Sequence, residues 1–181
     1  MDIKMTKTAD SPPEAYIATE GDSDLDFTLI ELLFYAYRDF TSDPDAILAS
    51  YGFGRAHHRV LHFVNRRPGL TVAELLEVLR ITKQSLARVL KQLVDTGFVV
   101  QVQGPRDRRQ RKLYPTRKGH DLALELALPQ SRRIHAALEE AGFADREAIE
   151  KFLRAMVNPE LRAQMDGPQA KEGSGRRDES G

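Results

Sequence analysis

The sequence predicts a mainly α-helical fold with a small β-hairpin wing, on three observations. A helix start signal at Thr71 is followed closely by a second at Thr82, so two short helices must adjoin. Residues 98–103 and 112–116 alternate loosely and are rich in β-branched side chains, with the turn dipeptide Gly104-Pro105 between them, which reads as a hairpin. Elsewhere between residues 27 and 157 apolar side chains recur at helical spacing.

In chain order, residues 1–24 are polar and acidic and contain Pro12-Pro13, a composition expected of a disordered acidic arm. Residues 27–40 differ sharply. Phe27, Leu29, Ile30, Leu32, Leu33, Phe34, Tyr35, Ala36, Tyr37 and Phe40 leave almost no polar face, so a helix here must be covered on most sides and needs a partner beyond its own small domain. Ser42-Asp43-Pro44 reads as a turn and a helix restart, with Ile47, Leu48 and Tyr51 on the following helix.

Residues 55–65 carry Val60, Leu61 and Val64 at helical spacing and stop at Arg66-Arg67-Pro68-Gly69. Thr71 with Glu74 three residues later is a capping box, and Leu70 and Leu75 stand where a hydrophobic staple places them. That helix runs to about Leu79. Thr82 caps the next, which carries Leu86, Val89, Leu90 and Leu93 and closes at Gly97. Two short helices joined by three residues make a helix-turn-helix, although Arg80-Ile81 lacks the glycine often found in such a turn. After the hairpin, Thr116 can cap a helix over residues 117–128, which Pro129 should kink or restart. Helices are expected over 130–141 and 146–157, the latter with Ile149, Phe152, Leu153 and Met156 on one side and Asn158-Pro159 as its stop.

The chain has 27 basic and 27 acidic side chains, a formal net charge of zero. The balance hides an asymmetry. Residues 1–50 hold 3 basic against 11 acidic side chains, whereas residues 80–120 hold 11 basic ones against only Asp95 and Asp107. A polyanion responds to charge within about a Debye length, roughly 8 Å at physiological salt, so the local excess decides where it docks. There is no cysteine, which excludes disulfides, thiolate metal sites and thiol redox sensing. No run approaches the roughly 18 apolar residues of a membrane span, and the acidic start lacks the layout of a secretory signal. A cytoplasmic protein is expected.

The order of elements resembles the MarR family of bacterial regulators, over roughly residues 27–157. Gly69-Leu70-Thr71-Val72-Ala73-Glu74-Leu75 is similar to the first helix of that family's helix-turn-helix, and Ile81 to Leu93 followed by Gly97-Phe98-Val99 is similar to its recognition helix and the entry to its wing. Asp107-Arg108-Arg109-Gln110-Arg111, with Thr116 and Gly119 downstream, matches its D-x-R wing and T-x-x-G helix start; only Pro115 departs, standing where an apolar strand residue is usual. The resemblance implies a homodimeric, winged helix-turn-helix transcriptional regulator that binds a pseudo-palindromic duplex operator. The expected organisation is an arm at 1–24, a MarR-type domain at 25–158 and a disordered tail at 159–181. Within the domain, the winged core lies at about 54–119 and dimerisation helices at 25–51 and 120–158.

A helix fits the major groove, so the outward side chains of residues 82–96 should face bases and phosphates. Gln84 and Arg88 are the best base readers, because Gln can bridge adenine and Arg guanine in bidentate fashion. Thr82, Lys83 and Lys91 suit phosphates, and Ser85 shares their face. In the wing, the resemblance puts Arg109 in the minor groove with Asp107 orienting it, while Arg106, Arg108, Arg111 and Lys112 supply phosphate contacts. A small-molecule effector is a further expected partner, with Tyr37, Phe40, His57 and His58 as candidate pocket residues by the same resemblance. His58 and His62 share a helix face, but no third ligand type follows at suitable spacing, so no metal or other cofactor is expected. Gly52-Phe53-Gly54 is no nucleotide fingerprint and no catalytic order stands out, which argues against an enzyme. The remaining alternative is a winged-helix module for protein or RNA contact without operator specificity.

Overall fold

A computed structural model describes residues 25–103, 111–142 and 146–165. The chain up to Tyr37 and the chain from Arg38 form two separate compact units. The helices are α1 (Phe27–Ala49), α2 (Arg55–Arg66), α3 (Val72–Leu79), α4 (Lys83–Asp95), α5 (Arg117–Glu140), α6 (Arg146–Met156) and α7 (Pro159–Met165), and the strands are β1 (Leu70–Thr71), β2 (Val99–Gln103) and β3 (Arg111–Pro115).

Two expected helix breaks are absent. Helix α1 runs through Pro44 and α5 runs through Pro129. A proline inside a helix lacks the N–H that would bond the carbonyl four residues back, which for Pro44 is Phe40. Here the Gln130 side-chain amide donates to that carbonyl at 3.2 Å, so α5 supplies the bond that Pro44 cannot. Pro44 itself is fully buried, and the neighbouring Arg133–Asp43 pair at 3.1 Å adds a second tie between the two helices. Helix α1 starts at Phe27 as expected, and there the Asp26 carboxylate accepts from the Leu29 N–H at 2.9 Å.

The helix-turn-helix forms as the caps predict. Thr71 Oγ1 accepts from the Glu74 N–H at 3.2 Å, and Glu74 Oε2 accepts from the Thr71 N–H at 2.7 Å, which closes the capping box. Thr82 Oγ1 accepts from the Ser85 N–H at 3.1 Å. The missing turn glycine is explained at Arg80, which takes the left-handed conformation itself (φ 49°, ψ 47°) and ends α3 by donating its N–H to Leu76 O at 2.9 Å. The Arg59 guanidinium, from α2, donates to the Leu79 carbonyl at 2.8 Å.

The hairpin is part of a three-stranded antiparallel sheet in the order β1-β3-β2. The strand β1, too short to read from sequence, pairs Leu70 with Leu113 and Thr71 with Lys112. On the other side Gln101 faces Leu113, and Val99 faces Pro115. The ladder continues past Pro115 because the Thr116 N–H donates to Phe98 O at 3.1 Å. Gly119 then sits against that same carbonyl: a Cβ there would lie 1.9 Å from Phe98 O, so only glycine lets α5 approach β2 this closely.

One core lies beneath these elements. Val60, Leu61 and Val64 of α2 pack with Leu75 and Leu79 of α3, Leu86, Val89, Leu90 and Leu93 of α4, and Leu113, Leu122 and Leu126 beyond. The tail expected from residue 159 begins instead with α7, for which Pro159 is a suitable first helical residue, and the Arg162 N–H donates to Asn158 O at 3.0 Å. The expected arm at 1–24 and the remainder of the tail lie outside the described residues. Among the described residues, no helix is long and apolar enough to cross a membrane.

Candidate nucleic-acid interface

Helix α4 has two unlike faces. Leu86, Val89, Leu90 and Leu93 are buried, while Lys83, Gln84, Ser85, Ala87, Arg88 and Lys91 are exposed. Gln84 and Arg88 lie one turn apart and project from the same side. Thr82 is exposed at the cap, where its hydroxyl donates to Ser85 Oγ at 2.9 Å. Lys91 forms an ion pair with Asp95 along the helix surface. Both partners are exposed, so the pair is weak and screened by salt, and Lys91 stays available to another anion.

In the wing, Arg111 opens β3 with its side chain exposed and donates to Gln101 Oε1 at 3.1 Å across the strand pair. Lys112 is half-buried opposite Val102 and Thr71. Arg106, Asp107, Arg108 and Arg109 lie outside the described residues.

The C-terminal end of α4 is fastened by groups that spacing alone does not reveal. Lys118 Nζ donates to Thr96 O at 3.0 Å and stands 4.1 Å from the centre of the Phe98 ring, a cation over an aromatic face. Phe98 in turn meets Phe53 and Tyr51 edge-on, at centroid distances of 5.2 and 5.6 Å. Phe53 stacks on His57 at 4.7 Å. The ring of His57 is fully engaged: Nδ1 accepts from the Gly54 N–H at 3.1 Å, and Nε2 lies 2.9 Å from Gln92 Oε1. Spacing does not mark Gln92, which falls at the margin between the buried and exposed stripes of α4. Its one signal is a carboxamide beside Leu93 on a helix whose inner face is otherwise aliphatic.

The four candidate pocket residues divide between the two units. Tyr37 belongs to the N-terminal unit; in the other, Phe40 is half-buried and its carbonyl is taken by Gln130, while His57 is committed to Gly54 and Gln92. Burial holds the pKa of His58 below the ordinary histidine value, the neighbouring His62 adds to this, and Asp45 opposes it. A cleft of about 500 Å³, bordered by Asp43, Pro129, Arg132 and Arg133, lies between the second half of α1 and α5. Among the described residues, no three His, Asp or Glu side chains converge as a metal site.

A sequence model described as the MarR family matches residues 51–110, which run from the turn after α1 to the residue before β3. The HTH-type transcriptional regulator PetP of Rhodobacter capsulatus is 50% identical over 133 residues, covering 74% of this chain and 80% of PetP. Among solved structures, a MarR protein from Peptoclostridium difficile superposes with a TM-score of 0.63 at 19% identity, over 84% of this chain and 97% of that one. A MarR transcriptional regulator from Methanosarcina mazei Go1 gives 0.60 at 25% identity, over 77% and 93%. The fold, the level of identity to PetP and the matched core lead to one conclusion: the chain belongs to the MarR family, a winged-helix transcriptional regulator that partners DNA and is not an enzyme.

Proposed function

We propose that the protein binds a pseudo-palindromic duplex operator as a homodimer, reading bases with Gln84 and Arg88 of α4 and the minor groove with Arg109 of the wing. The observation that carries this is the division of α4: a capped helix held by four buried aliphatic side chains offers Lys83, Gln84, Ser85, Arg88 and Lys91 to solvent together. Thr82 and the two lysines would hold phosphates beside the bases. Asp107 would orient Arg109, and Arg106, Arg108, Arg111 and Lys112 would flank it on phosphates. One such module touches few base pairs, and pairing two on half-sites about one helical turn apart multiplies discrimination.

The first half of α1 supports the dimer. Phe27, Leu29, Ile30, Leu32 and Phe34 stand exposed there, Phe34 at 70%, more apolar surface than a lone helix leaves in water. In the other unit Phe152, Leu153 and Met156 of α6 are exposed in the same way. On this reading residues 54–119 form the DNA-reading core and the helices on either side join the protomers. A small ligand entering beside α5 would modulate the complex, and the protein would act on chromosomal DNA in the cytoplasm.

The test is a mobility-shift titration of genomic duplexes, including the protein's own promoter, across a salt series. A retarded, sequence-dependent complex that weakens steeply with salt is expected. Affinity indifferent to sequence and to salt would instead identify a protein- or RNA-contact module. Arg109→Ala should weaken the specific complex by about tenfold or more and leave the oligomeric state unchanged.

A further inference from the structure

The aliphatic contacts beneath α4 press it onto the core without directing it, and a helix held only by such contacts can roll by several degrees at little cost. Bidentate base recognition tolerates only about 10–20° and half an ångström. A directional restraint reaches the margin of its buried face, midway along the last turns. Because the Gly54 N–H points at His57 Nδ1, at 3.1 Å, that nitrogen must be the acceptor, and the proton of the neutral ring sits on Nε2. Nε2–H therefore donates to Gln92 Oε1 at 2.9 Å, which orients the carboxamide so that its Nε2 donates to Gly52 O at 3.4 Å. The bonds run in one sense from the Gly52–Gly54 turn through the imidazole to α4 and back to the turn. The imidazole is held flat by its stacking on Phe53, seven degrees from parallel. Phe53 touches Phe98, the first residue beyond the glycine that closes α4.

We infer that His57 and Gln92 are positioning residues for operator recognition: they set the rotation of the recognition helix about its own axis while touching no DNA. The inference rests on the operator-binding reading above. It changes the part expected of His57, whose ring nitrogens serve the reading helix and not a ligand pocket. The two side chains are successive links in one chain of bonds, so losing either should cost about as much as losing both.

The experiment uses the full chain. The wild-type protein first selects its preferred duplex from a random-sequence library, and that duplex and an unselected random duplex are the probes. Gln92→Met keeps the length of its side chain and His57→Phe keeps a flat ring that can stack on Phe53, but both remove the hydrogen bonds. Each variant, and the double variant to the same extent, should bind the selected duplex about tenfold more weakly while affinity for the random duplex stays within about twofold. Thermal midpoints should remain close to wild type. Undiminished discrimination in both variants overturns the inference, as does a parallel loss of folding and of both affinities, which would mark the pair as simply structural. Failure of the wild-type protein to select any sequence would instead overturn the operator-binding reading.

Discussion

Arg80 occupies a backbone conformation that costs an L-residue with a Cβ roughly 1 kcal/mol, because the side chain crowds the following carbonyl. It is the only non-glycine residue with positive φ among the described residues. Arg80→Gly should therefore raise stability by about 0.5–1 kcal/mol, a gain readable as an upward shift of the urea midpoint at constant slope. His58 makes a different prediction. Its pKa is lowered in the folded state, chiefly by burial, so the unfolded chain takes up a proton more readily. The stability it contributes is complete above the ordinary value of 6.5 and is lost as pH falls from there through the folded-state pKa. Thermal midpoints measured from pH 7.5 down to 5 should decline, and His58→Gln should flatten that decline. Neither behaviour was legible in the sequence, because left-handed backbone and partial burial arise only when α2, α3 and α1 are assembled.

Among the elements, those with their own signals match the structure: α3 from its capping box, α4 from Thr82, and the strand pair from its two β-branched runs, while the expected turn at Gly104-Pro105 lies outside the described residues. Elements that depend on a partner were not. Pro44 and Pro129 read as breaks because a local rule sees only the lost N–H; the replacement donor for Phe40 lies on another helix, ninety residues away. Gln130→Ala should thus leave a half-buried carbonyl unpaired and destabilise the fold by about 1–2 kcal/mol, measurable by chemical denaturation. A conservative Gln130→Glu should be nearly as costly, since a carboxylate cannot donate. The two-residue β1 escaped notice for the same reason: its pairing is defined by β3, not by its own composition. Gly119 was picked out by resemblance alone until the Phe98 carbonyl supplied its physical cause.

At the scale of the whole molecule, zero net charge conceals a basic segment and an acidic one, and the basic segment contains both α4 and the wing. The apolar excess at 27–40 was equally legible, and its exposure over the first half of α1 is what a second protomer would cover. Phe34→Asp should accordingly shift sedimentation toward the monomer and weaken operator binding, with the far-ultraviolet helical signal largely kept. An unchanged sedimentation coefficient would place the dimer contact elsewhere. What the sequence withheld is the internal bracing of the reading helix, because a mid-helix glutamine and a histidine on another helix carry no shared signature until the fold brings them within 2.9 Å.

The pairing of Leu70 with Leu113 has a consequence for the order in which the protein can assemble. Both helices of the helix-turn-helix and the strand β2 lie inside the loop that this pairing closes. Closing a loop of that length costs chain entropy before any distant contact is gained, so the central strand joins a chain that has already committed its local helices. A nascent chain halted before β3 has left the ribosome would hold the reading helix without its floor. No fragment ending short of Leu113 should recognise DNA, however complete its helix-turn-helix looks in the sequence.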